Sequence, residues 1–409
     1  MRAVLIKVKS FKPLLLKTVI ALSTLWIAGC GSPTPPGVTS MPTSGIKKRV
    51  LLSNQQSGSV LIMDASKDTI SNSGLTVFGA TRIATNGGTS AVISSTQSTV
   101  GLFDDTKEQA EVQPTFPNPA QDIAVSTDGK TLYAAVRNSG FVAFANVVDG
   151  TFSIVNVPSV SRLVLSPNGT KLLAFSDDPQ SQSGANANAF IVIDTASKTA
   201  TVIAGGAGDQ PFTGVFNNSE TKAFILNCGK GCGGTAAPSV VQVDFSGAPV
   251  LGTPLPVASA TVGLLNSSTL FVAGTDPNDL KGKLQAINTG SMSISSTVTI
   301  TDGLHTRMKM ANDNKLYIGA SACTTSPGTT AGTTTGCLSI VNTSSNAVTI
   351  PAFARSAFDV TGIQPISNRS VVYVCEGGEL DIFDTTNDTL TPTQIDVVGK
   401  AFDVLQIDP

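Results

Sequence analysis

From Lys48 onward the chain is written in short apolar runs separated by polar turns. QDIAVSTDGKTLYAAVRNSGFVAFANVVDG (121–150) shows the scheme, and SRLVLSPNGTKLLAF (161–175) followed by AFIVIDTASK (189–198) repeats it. TRMKMANDNKLYIGAS (306–321), CLSIVNTSSN (337–346) and FDVTGIQPISNRSVVYVCEGGELDIFDTTND (358–388) repeat it again. Each run alternates apolar and polar residues or is briefly all apolar, and Asp-Gly, Asn-Gly or Asn-Ser steps lie between runs. Runs of this length bounded by such turn residues predict β-strands. No stretch sustains the 3.6-residue period of a helix.

The strands recur in units of roughly 40–50 residues with four short strands each, the sequence signature of a β-propeller blade. Inner strands begin near Arg82, Asp122, Arg162, Thr213, Val262, Arg307, Asp359 and Asp403, which makes eight. Second strands lie near Leu51, Val92, Leu132, Leu172, Phe224, Leu270, Leu316 and Val372, also eight. The body opens directly on a second strand, KRVLLSNQ (48–55), whose first strand is missing. AFDVLQIDP (401–409), a near copy of AFDVTGIQP (357–365), supplies a first strand with no second behind it. Joining the two completes a blade from both chain ends and leaves no open sheet edge. The expectation is an all-β, eight-bladed propeller over residues 48–409, closed by pairing of its N- and C-terminal strands. Seven blades are the alternative, should the weakly patterned unit at 80–119 pack irregularly.

The repeat resembles the YVTN family of β-propellers, whose unit reads roughly "lYVtN…tVsVIDtatn…P…iavSpdGk". The matching stretches are DIAVSTDGKTLYAAVRNSG (122–140), RLVLSPNGTKLLAF (162–175), IVIDTASKTATV (191–202) and VVYVCEGGELDIFDTTND (371–388). The resemblance implies the propeller fold for most of 48–409. It implies little about activity, because that family and the related lactonase-type propellers include enzymes and binding proteins alike. Lactonase-type enzymes use His, Arg and acidic side chains at the channel mouth, and none of their catalytic motifs matches here residue by residue. Trp26, the only tryptophan, falls in the leader described next, which argues against WD-repeat blades and tryptophan-docked quinoprotein blades. Kelch double-glycine patterns are absent.

The first thirty residues read as an address. Arg2, Lys7, Lys9, Lys12 and Lys17 form a basic region without an acid, and the apolar run from Thr18 to Ile27 follows. Spanning a bilayer takes roughly 20 apolar residues, so this run fits a signal peptide, residues 1–29, rather than a membrane helix. Ile27-Ala28-Gly29-Cys30 resembles the lipobox of bacterial lipoproteins, which implies cleavage before Cys30 and lipidation of that cysteine. The alternative is a plain secretory signal. Gly31 rather than Asp after the cysteine favours the outer membrane in a diderm cell. Residues 30–47, rich in Pro, Ser and Thr, read as a tether; extended, it would reach about 50 Å at roughly 3.1 Å per residue.

Loss of the leader leaves 21 basic against 28 acidic residues, about −7. That balance argues against nucleic acid as a partner, since nothing offsets phosphate repulsion. Charged residues are 13% of the chain, about half the usual share, so each charge placed in a repeat is informative.

Candidate chemistry is sparse. Aligning the inner strands puts Arg82, Asp122, Arg162, Arg307, Asp359 and Asp403, with Thr213 and Val262, at one step near the channel mouth. Three arginines there could grip a small anionic ligand, since the guanidinium fork suits carboxylate and phosphate. Alternatively the arginines pair with the aspartates and stitch blades together. Long second-to-third-strand loops at 177–188, 228–239, 276–283 and 323–337 fall in consecutive blades and would form an arc beside the mouth, the kind of place where binding concentrates. Within it, Cys228 with Cys232 and Cys323 with Cys337 predict local disulfides. Zinc on C-x3-C lacks a nearby His. Cys375 reads as a partly buried free thiol. His305, the only histidine, lies two residues before Arg307 and would be the general base were there catalysis. No G-x-S-x-G, HExxH, phosphate-loop or EF-hand pattern occurs, and no cofactor or metal is implied. The sequence thus reads as an exported lipoprotein that works as a binding or scaffolding module through its long-loop face. The partner would be an unidentified protein or a small anionic ligand. Alternatives are a lactonase-like hydrolase using His305 and Arg307, or an envelope adhesion protein.

Overall fold

The computed structural model describes residues 44–177, 188–204, 208–324, 335–351, 359–393 and 395–408. The leader, Cys30 and most of the tether lie outside these residues. The described strands form eight antiparallel sheets of four strands, one of which carries an additional short strand. Each sheet is a blade, numbered here from the chain ends. Blade 1 combines Ala401–Gln406 as its inner strand with Arg49–Asn54, Ser59–Asp64 and Thr69–Thr76. The inner strands of blades 2 to 8 are Ala80–Asn86, Asp122–Val125, Val160–Leu165, Pro211–Phe216, Val262–Asn266, Leu304–Met310 and Val360–Pro365. The weakly patterned unit after residue 80 is a full blade, so the ring has eight blades and the seven-bladed alternative is set aside.

Burial explains the two kinds of apolar run. Second strands are covered on both faces by neighbouring blades: in Arg49–Asn54, Thr131–Val136, Lys171–Ser176 and Lys222–Asn227 every residue after the first is buried. Such a strand has to be apolar almost throughout. The outer strand Phe152–Asn156 buries only Val155, so polar residues are tolerated there. The core is distributed accordingly. Eight apolar clusters occupy the eight junctions between adjacent blades. Tyr133, Tyr317 and Tyr373 belong to these junctions, as their place in the repeat predicts. Cys375 does so too and is fully buried rather than partly so.

Closure follows the register Leu51↔Leu405, Leu52↔Val404 and Ser53↔Asp403, with a bulge before Asn54↔Ala401. Side chains lock this seam. The Arg49 guanidinium holds both carboxylate oxygens of Asp408, Nε to Oδ2 at 2.9 Å and Nη2 to Oδ1 at 2.7 Å, and its Nη1 lies 3.1 Å from Glu108 of blade 2. On the opposite face Asn54 donates to the Val398 carbonyl at 2.9 Å and accepts from the Lys400 amide at 2.9 Å. No helix among the described residues is long and apolar enough to cross a membrane.

Candidate functional site

Inner strands start at the channel mouth, on the face that also carries the second-to-third-strand loops. A cavity of about 520 Å³ opens there. Six of the eight aligned positions line it: Arg82, Asp122, Arg162, Thr213, Val262 and Arg307. The other two do not. Asp403 is half-buried and does not line the cavity, and its neighbour Phe402 lines it instead. Asp359 is exposed and precedes its strand. Pairing places Gly362 opposite Cys375 where Arg307 stands opposite Gly319, so Gly362 holds the aligned step of blade 8. The offset arises because the inner strand of blade 8, like five others, is bulged near its start, which hides the true register from a linear alignment.

The two aspartates share one structural role. Asp122 accepts the amide of its own next residue, Ile123, at 2.7 Å and that of Leu163 in the next blade at 2.8 Å. Asp403 does the same with Val404 at 3.0 Å and Ile83 at 2.9 Å. Each carboxylate therefore ties one inner strand to the next, blade 3 to blade 4 and blade 1 to blade 2. Burial raises the Asp403 pKa, against the opposing pull of Arg307, the Ile83 amide and Arg82.

The arginines are less uniformly engaged. Arg82 Nη1 lies 2.6 Å from Asp122 Oδ1, the only direct Arg–Asp pair of this ring among the described residues. Arg162 stacks its guanidinium 3.6 Å from the centroid of the Phe212 ring and donates to the Phe212 carbonyl at 3.4 Å. Arg307 donates Nε to the Thr361 carbonyl at 2.6 Å and Nη1 to the Thr306 carbonyl at 3.2 Å. Desolvation lowers the pKa of both Arg162 and Arg307. Asp122 and Asp177 offset this at Arg162, as Asp403 does at Arg307, and Arg82 repels both. An arginine stays charged regardless. The mouth thus presents two cations held in place by carbonyls and a ring, with no carboxylate of the described residues touching them. A fixed, partly desolvated guanidinium with free donors is a ready anion receptor.

His305 is not part of this cavity. It is fully buried beside the mouth, and neither ring nitrogen finds a hydrogen-bond partner. Burial pushes its pKa down to about 4, although the backbone of Thr301 and of Gly303 and the charge of Asp302 act the other way. A neutral imidazole sealed from the cavity cannot take a proton from bound water there, so the residue expected as general base is a wall residue. The bulge between His305 and Arg307 turns the first inward to protein and the second to the channel.

The loop arc is built as the cysteine spacing predicts. Cys228–Cys232 and Cys323–Cys337 are disulfides, with Cα separations of 5.6 and 6.2 Å. Aspartates preceding the inner strands hold the same loops: Asp209 Oδ2 accepts the Thr235 and Ala236 amides at 2.5 and 2.7 Å, and Asp302 accepts the Thr324 amide at 3.0 Å. The loop 276–283 is braced by a half-exposed Lys283–Asp279 pair at 3.1 Å. Residues 178–187 and 325–334 of the other two loops lie outside the described residues. No group of three or more His, Cys, Asp or Glu that could hold a metal occurs among the described residues.

Sequence reasoning did not single out Phe212, Thr361 and Lys309. Phe212 and Thr361 matter only through their carbonyls or ring face, which no motif marks. Lys309 was legible as a charge set between Met308 and Met310, at i+2 from Arg307.

No protein-family model matches the chain, and no curated protein is similar to it in sequence. The YVTN resemblance therefore carries the fold and not family membership. Solved structures are similar in fold. The dihydro-heme d1 dehydrogenase NirN in complex with DHE matches 90% of this chain and 76% of its own at TM-score 0.68 and 11% identity. Apo AztD from Citrobacter koseri matches 88% and 97% at TM-score 0.58 and 11% identity. Hydrazine synthase from Kuenenia stuttgartiensis matches 65% and 76% at TM-score 0.52 and 14% identity. At such identities the likeness shows a β-propeller and nothing of its chemistry.

Proposed function

We propose that this protein is an exported, lipid-anchored binding module whose channel mouth receives a small anionic ligand beside the disulfide-braced loop arc. One observation carries the reading: Arg162 and Arg307, from blades 4 and 7, line one cavity with Arg82 and touch no carboxylate among the described residues. In a chain so sparing of charge, converging cations around a concave wall are better explained by a bound anion than by blade stitching. The aspartates already stitch the blades through backbone amides.

The test is a thermal-shift and calorimetric titration of the purified protein with carboxylates and inorganic phosphate. A ligand at a hundredfold excess over its Kd stabilises the folded state by about 2.7 kcal/mol. Arg162→Met and Arg307→Met are expected to weaken binding by tenfold or more each, as loss of a charge-assisted pair does, with unliganded melting unchanged or higher. Binding that survives the double substitution would place the ligand elsewhere and leave the loop arc as a protein-docking surface.

A further inference from the structure

Three large apolar side chains line the mouth cavity: Phe212 of blade 5, Leu304 of blade 7 and Phe402 of blade 1. None of them belongs to the apolar clusters that fill the junctions between blades. Leu304 is 46% exposed, and the two phenylalanines are half-buried. Side chains of this size that serve packing, such as Tyr317 and Phe383, are wholly enclosed between blades. Turned to the channel instead, they leave apolar surface against water, which is unfavourable until something covers it. Arg162 covers one face of the Phe212 ring. Phe402 has no ring or cation stacked on it among the described residues.

The inner strand Leu304–Met310 brings apolar and cationic groups to one wall. Residues three apart on a regular strand point to opposite faces. Leu304 and Arg307 nevertheless both line the cavity, because the bulge between His305 and Arg307 inserts a residue between them. Phe402 lines the same cavity two blades on. Blade 8, which stands between, has Gly362 and hence no side chain at the aligned step. The exposed or half-buried lining from blades 2 and 3 is polar by contrast: Arg82, Ser95 and Gln121. A cavity of about 520 Å³ also falls within the roughly 300–1,000 Å³ of pockets that hold drug-sized ligands, far more room than a bare carboxylate fills.

We propose that the ligand of the mouth is an amphipathic carboxylate, its charge held by the arginines and a ring-sized apolar body covering Leu304 and Phe402. The inference rests on the anion site proposed above and adds the chemistry of the rest of the ligand. Charge alone would satisfy Arg307 and leave the apolar wall wet, so the site discriminates by the body attached to the carboxylate.

The experiment compares 3-phenylpropionate with propionate, and with the uncharged 3-phenylpropanol, by calorimetry on the full protein. The phenyl acid is expected to bind at least tenfold tighter than propionate and at least tenfold tighter than the alcohol. Phe402→Ala and Leu304→Ser should each cut the first ratio severalfold, through weaker binding of the phenyl acid, and Phe402→Leu should restore most of it. Circular dichroism and unliganded melting like those of the parent separate this effect from unfolding, as expected for side chains outside the core. Equal affinity for the two acids, or a ratio that persists when Phe402→Ala and Leu304→Ser are combined, overturns the apolar body while the anion site at the mouth stands. Phenylpropanol binding as tightly as the acid, or failure of both acids and of inorganic phosphate to bind, overturns the two together.

Discussion

Buried titratable residues set how this molecule responds to pH. Glu376, at the end of the second strand of blade 8, is buried with Oε2 unpartnered; burial first, and the charge of Asp381 second, push its pKa up to about 9. Between the ordinary carboxylate range and pH 9 the folded chain therefore binds more protons than the unfolded one, so stability falls as pH rises through that window. His305 has the opposite sign. Held near 4, it is neutral when folded and charges when unfolded below about 6.5, so its contribution is lost as pH falls from 6.5 to 4. Glu376→Gln is expected to flatten the alkaline limb: its melting temperature should change less between pH 6.5 and 9 than that of the parent. Equal pH profiles for the two would mean that Glu376 ionises freely. Asp122 and Asp403 belong to the same scale: each gives one oxygen to the amide of its own next residue and one to an amide of the next blade, and Asp122 also pairs with Arg82.

At the scale of elements, turns decide how closely blades approach. The hairpin turns of blades 2 and 3 meet backbone to backbone: Gly87 and Gly129 both have positive φ, 55° and 70°, and Thr89 Oγ1 donates to the Gly129 carbonyl at 3.0 Å. A Cβ on Gly87 would collide with the backbone at Asp128 and Gly129. Backbone cannot yield as a side chain does, so Gly87→Ala is expected to cost about 1–3 kcal/mol. A denaturant midpoint unchanged by this substitution would show that the turn relaxes. The strand assignments were legible at this scale, because buried second strands and half-exposed outer strands write different patterns. Bulges were not: they insert a residue without a compositional mark, which is why Asp359 aligned with the ring and Gly362 occupies its place.

For the whole molecule, closure of the ring is the decisive feature of the fold, and the proposed lipid anchor decides where it would act. The C-terminal strand enters blade 1, and the Arg49–Asp408 pair fastens it, so the strand Arg49–Asn54 has no unpaired edge toward the channel to template association. Replacing Cys30 by Ser is expected to move the protein from the membrane fraction to the soluble exported fraction and to abolish incorporation of labelled fatty acid. Retention in the membrane fraction without label would count against lipidation.

What the sequence determined by itself was periodic: eight units, their strands, the blade shared by the two termini, and two local disulfides. Each follows from neighbours in the chain or from a repeat, and alternation, turn residues and cysteine spacing record these directly. Only the tertiary structure decided which members of the charged ring face the cavity. Arg82, Asp122, Arg162 and Arg307 do, Asp122 and Asp403 tie adjacent blades, Asp359 stands apart and His305 is sealed in the wall. The physical reason is that direction and burial of a side chain depend on a one-residue bulge and on packing between blades distant in sequence, and neither leaves a trace in composition or spacing.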